Sequence, residues 1–92
     1  MSLISKAEAT EKLADLHGWQ LSGDEIVREF AFPDFAAAMI FVNRVAEEAE
    51  RAGHHPDIGI RWNKVRLALS SHDAGGLTNA DFSLAGTIDR LA

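Results

Sequence analysis

Three of the four histidines in this 92-residue sequence, His54, His55 and His72, occupy positions where proton chemistry is possible. An imidazole with an ordinary pKa of about 6.5 both gives and takes protons at neutral pH, so a cluster could serve general acid and general base steps. Pro56 follows the first two and biases His55 towards an extended backbone. Glu50 lies about one turn before the pair, and Asp81 lies beyond His72. Each residue also has a plainer reading. A histidine after a helix end usually meets the helix dipole or solvent, and His17 is read that way. Glu50, within Glu47-Glu48-Ala49-Glu50, reads by itself as a solvated helix face. Asp81 by position is a capping residue, and Trp19 and Trp62 suit a core or an interface better than a pocket wall.

The elements that must position these residues bring them into one cluster. Ile58 to Trp62 and Lys64 to Ser70 read as two strands joined tightly near Asn63, with Val65, Leu67 and Leu69 alternating against Lys64, Arg66 and Ala68. Antiparallel pairing returns the end of the second strand to the start of the first, which brings His72 back beside His54 and His55. Upstream, Asp34 is placed to cap a helix from Phe35 to about Arg51, with Gly53 as its left-handed stop. Phe35, Met39 and Val42 form one apolar row on that helix, and Ala38, Phe41 and Val45 another. One row suffices to pack a sheet. The surplus calls for either deeper burial within the chain or a second subunit. Ser5 to His17 reads as an amphipathic helix stopped by Gly18. Trp19–Leu21 and Ile26–Phe32 then read as a hairpin, in which Arg28 is the misfit on an otherwise apolar face of Ile26, Phe30 and Phe32. Ser71 to Leu77 is a loop, and Thr78 with Asp81 forms a capping box opening a last helix to about Leu91. The order helix, two strands, helix, two strands, helix predicts an α+β domain, with helices gathered on one face of a sheet.

Composition narrows the function. A length of 92 residues suits one domain over 1–92, whose small core invites oligomerisation. The absence of cysteine removes disulfides and thiolate metal sites. A formal net charge of -5 argues against nucleic-acid and anionic-membrane partners, which require concentrated Lys and Arg. The longest apolar run, Phe35 to Val42, is far below the roughly 20 residues of a membrane span. No apolar signal region follows Ser2, Ser5, Lys6 and Glu8, so a cytoplasmic location is expected.

Taken together, Glu50-x3-His54-His55-Pro56-x5-Trp62-x9-His72-x8-Asp81 resembles the pattern of the pterin-4a-carbinolamine dehydratases. The likeness extends to Gly18-Trp19, Phe32-x-Asp34-Phe35, Asn63-Lys64-Val65, Ser70-Ser71-His72 and Gly76-Leu77-Thr78. It implies a lyase without cofactor or metal that dehydrates 4a-hydroxytetrahydropterin, the product left by an aromatic amino acid hydroxylase, to quinonoid dihydropterin. It also implies a four-stranded antiparallel sheet with helices on one face, assembled as a homodimer or homotetramer. On this resemblance His54, His55 and His72 are catalytic. Glu50 binds the pterin or orients a histidine, and Ser71, Asp73 and Ala74 line the ring through backbone groups. Pro56 and Trp19 are counted with the substrate site, and Asp81 orients a histidine.

Two rivals stand beside it. Three histidines with Glu50 are a zinc ligand set by type, although side chains of adjacent extended residues diverge. Alternatively the chain is a non-catalytic dimerisation or binding partner of another protein, a second use known among members of that family.

Overall fold

Alternation of apolar and polar residues dictates a sheet with one buried face, and the computed structural model, which describes residues 2–92, has that form. The elements are α1 (Lys6–Leu13), β1 (Gln20–Ser22), β2 (Glu25–Ala31), α2 (Phe35–Ala52), β3 (Asp57–Arg61), β4 (Lys64–Leu69) and α3 (Asn79–Asp89). The strands form one antiparallel sheet in the order β1-β2-β4-β3. Its register sets Phe30 opposite Val65 and Ile26 opposite Leu69, so these side chains share a face with Leu67. That face is buried against Ala38, Phe41 and Val45 of α2, Leu84, Ala85 and Ile88 of α3, and Ala9 of α1. Lys64 and Arg66, on the alternate positions of β4, are exposed. Phe30, Phe32 and Phe41 stack at the centre, with ring centroids 4.8 and 4.9 Å from Phe41.

Arg28, the apparent misfit, belongs where it is. Its guanidinium bonds Asp89 of α3 at 2.8 Å and lies over the Phe30 ring at 4.3 Å, so charge and stem are both used. The first helix is shorter than its sequence suggests. Past Leu13 the chain tightens into i to i−3 bonds (Ala14 to Glu11, Asp15 to Lys12, Leu16 to Leu13), which still deliver Leu16 to the core. Gly18 then turns the chain at a φ of 86° close against the Arg28 side chain, where a Cβ would lie 2.8 Å from Nε.

Two surfaces remain apolar and open. Phe35 and Ile40 of α2 are 50% and 56% exposed, and Ile58 and Ile60 lie exposed on the edge strand β3. Among the described residues no helix is long and apolar enough to cross a membrane.

Candidate active site

Three local devices converge at one end of the β3–β4 hairpin. The first is the end of α2. Gly53, in the left-handed conformation, donates its N–H to Glu50 O, and His54 N–H reaches back to Ala49 O; this Schellman closure fixes His54 immediately beyond the helix. The second is the start of α3, where Thr78 and Asp81 form the capping box expected from their spacing. The third is the end of β4. Its last turn is knotted on Ser71, which pairs with Gly76 as an isolated bridge and carries a short 3-10 turn from His72 to Ala74.

These devices bring His54, His55 and His72 onto the wall of one open cavity of about 430 Å³, with Gly53, Ser70, Ser71, Asp73 and Ala74. Each of the two adjacent histidines meets its own carboxylate. His54 Nε2 is 2.5 Å from Asp81 Oδ1, in a part-buried contact to a carboxylate that is itself 0% exposed. His55 Nε2 is 2.6 Å from Glu50 Oε2 at the surface. The His72 ring is exposed and has no hydrogen bond or ion pair to any described residue. The buried Asp81 is fully supplied with donors, since Oδ2 accepts from Ser71 Oγ and from Thr78 N–H, each at 2.9 Å. Two histidines held by carboxylates and one free ring around a cavity can accept one proton and deliver another.

Several sequence-derived assignments sit differently in the structure. Trp19 does not border this cavity. It is buried edge-on to Phe30, and its Nε1–H donates to Asp89 Oδ1 at 2.8 Å, committing it to the core. Pro56 and Glu50 are likewise absent from the cavity wall, although Glu50 touches the wall residue His55. Ser71 has no free backbone to offer a ring. Its N–H bonds Gly76 O, and its carbonyl receives N–H groups from residues 74–76. Gly53 and Ser70 also line the cavity, although the sequence offered Gly53 only as the helix stop and Ser70 only within the Ser70-Ser71-His72 likeness. No group of three or more His, Asp or Glu among the described residues is gathered as a metal site; the neighbouring histidines diverge to separate carboxylates.

Comparison with known proteins agrees with this architecture. The family model for pterin 4 alpha carbinolamine dehydratase matches residues 2–91. A relative from Acidobacterium capsulatum that bears the family's name is 56% identical over 91 residues, covering 99% of both chains. One from Roseiflexus castenholzii is 56% identical over 90 residues, covering 98% of this chain and 97% of its own. Among solved structures, a transcriptional coactivator/pterin dehydratase from Brucella melitensis superposes with a TM-score of 0.92 at 34% identity, over 97% of each chain. A pterin dehydratase-like protein identified as a RuBisCO assembly factor in the alpha-carboxysome superposes with a TM-score of 0.71 at 28% identity, over 83% of this chain and 90% of that one. With the fold, the histidine pattern and the match along nearly its whole length in agreement, the chain belongs to the pterin 4 alpha carbinolamine dehydratase family.

Proposed function

We propose that this protein dehydrates 4a-hydroxytetrahydropterin to quinonoid dihydropterin and water, in pterin recycling downstream of an aromatic amino acid hydroxylase. The observation that carries the reading is the gathering of His54, His55 and His72 around one cavity, two of them against carboxylates. The reaction breaks the C4a–O bond and removes the proton on the adjacent ring nitrogen, forming a carbon–nitrogen double bond. The leaving hydroxyl must be protonated to depart as water, and a base must take the nitrogen proton. Each step is worth typically 10²–10⁴-fold when a positioned side chain performs it. His55, steadied by Glu50, is one acid/base group. His54, steadied by Asp81, and the unpaired His72 meet the 4a-hydroxyl. Asp73 and Ala74, on the same turn as His72, border the ring. No metal or cofactor takes part.

Titration of ¹⁵N-labelled protein with 7,8-dihydropterin, a stable compound of the same ring system, tests the location. Saturable shifts are expected at residues 53–55 and 70–74. Shifts confined elsewhere, or none at millimolar ligand, would remove the substrate from this cavity.

Assembly belongs to the same proposal. The exposed Phe35 and Ile40 leave α2 with apolar surface that a homodimer or homotetramer would cover. Sedimentation equilibrium should find the wild type oligomeric and Ile40→Asp shifted towards monomer. A monomeric wild type at tens of micromolar contradicts this. The same face supports the second reading, a binding partner of another protein, and one structural relative is described as an assembly factor. Both uses can coexist on one chain, because the apolar face and the histidine cavity are formed by different residues.

A further inference from the structure

The dehydration reading uses the imidazoles and leaves the two hydroxyls behind Asp81 without a role. Ser71 is 8% exposed and Thr78 1%, so neither hydroxyl is disposed towards solvent. Ser71 Oγ lies 2.9 Å from Asp81 Oδ2 and 2.8 Å from Thr78 Oγ1. A serine hydroxyl has one proton and can accept at its lone pairs. With that proton given to the carboxylate, the contact to Thr78 must run the other way, from the threonine hydroxyl to Ser71 Oγ. The order of donors is thereby fixed: Thr78 to Ser71 to Asp81. Thr78 N–H points to the same Oδ2. Asp81 Oδ1 is left facing His54 Nε2. Supplied from behind by donors alone, Asp81 acts as acceptor towards the ring, and Nε2 carries the hydrogen.

The consequence falls on the other nitrogen of His54. In the neutral ring one nitrogen donates and the other accepts, so hydrogen on Nε2 leaves the lone pair on Nδ1. Nδ1 has no hydrogen-bond partner among the described residues. It is also not sealed, because no partnerless side-chain nitrogen or oxygen there is buried. His54 therefore presents an open basic atom on a ring that borders the cavity.

We infer that the Ser71 hydroxyl is a positioning residue: by holding Asp81 Oδ2 it keeps His54 in the tautomer whose lone pair is on Nδ1, the atom that exchanges a proton with the substrate. The inference rests on the dehydration reading for its kinetic consequence, but the tautomer itself does not. Ser71 borders the cavity but acts through Asp81, since its proton is given to Asp81 and its backbone to the loop.

The test compares wild type with Ser71→Ala, Ser71→Thr and Ser71→Cys, reading the ¹⁵N chemical shifts of the His54 ring and, separately, kcat and KM. In the neutral ring of the wild type, Nε2 should appear protonated and Nδ1 bare. Ser71→Ala should move both shifts towards an average of the two tautomers. It should also lower kcat roughly tenfold, the scale of one buried hydrogen bond, with KM changed less than about twofold. Threonine, which keeps the hydroxyl, should restore both readouts. Cysteine, a weak donor of similar size, should fall between and replaces alanine if that variant fails to fold. Hydrogen on Nδ1 in the wild type overturns the inference. So does an unaltered tautomer in Ser71→Ala, or a loss of kcat that threonine does not restore. If the wild type shows the stated tautomer and its loss in Ser71→Ala but no dehydration, the positioning stands and the functional reading fails.

Discussion

His55→Ala and His72→Ala should each lower the enzyme-dependent rate of dehydration by about 10²–10⁴-fold while leaving the state of assembly unchanged. The size follows from the task. Removing an imidazole deletes a proton transfer for which no other group is bonded in place: Glu50 meets His55, and His72 makes no hydrogen bond or ion pair to any described residue. Structural cost should be small, because both rings are exposed and neither belongs to the core. Steady-state rates with sedimentation on the same samples check both halves. Turnover within twofold of wild type in either variant would remove that histidine from the chemistry. Loss of assembly with turnover unchanged would instead favour the binding-partner reading.

Asp81→Asn is the second large effect, and it should act on stability and rate together. The carboxylate is fully buried and receives donors from three directions: His54, Ser71 and the Thr78 backbone. An amide retains one acceptor oxygen and sets an NH₂ group against at least one of those donors. Leaving a buried donor unmatched costs about 1–3 kcal/mol, and the capping box at α3 is weakened when the NH₂ replaces Oδ2. A loss of about 2–4 kcal/mol in urea unfolding is therefore expected. If the amide turns its NH₂ to His54, the ring must accept at Nε2 and carry its hydrogen on Nδ1. The basic atom would then be lost, with kcat falling by about 10²-fold or more in the folded fraction. Unfolding and kcat both close to wild type would mean that Asp81 neither holds α3 nor orients His54.

The parts of this fold that could be read from the chain are those decided by a few neighbouring residues. Asp34 caps α2, Gly53 adopts the left-handed stop, and Thr78 and Asp81 close on each other, because each motif is complete within about four residues. The hairpin that carries His72 back towards His54 follows from one alternating strand and one tight turn. The long-range partners were not readable. Arg28 looked like an error on an apolar face because its partner Asp89 lies 61 positions away and is set only when α3 docks. Trp19 is claimed by the same carboxylate, 70 positions away, which ties it into the core beside Phe30. The family likeness casts Ser71 as a backbone contact, and its place in the chain gives no hint that loop closure consumes both its N–H and its carbonyl. For Asp81 the spacing reads as a cap, and the family likeness adds the orienting of a histidine to that role. The geometry supplies both sets of contacts, one oxygen on Thr78 and Ser71 and the other on His54.

The central claim is catalysis, and stopped-flow absorbance tests it most directly. Freshly generated 4a-hydroxytetrahydropterin is mixed with the protein, and formation of the quinonoid dihydropterin is followed after subtraction of the spontaneous reaction. A rate that rises linearly with protein concentration in the wild type and collapses to the uncatalysed value in His72→Ala is the expected result. A wild-type rate indistinguishable from buffer alone would contradict the account.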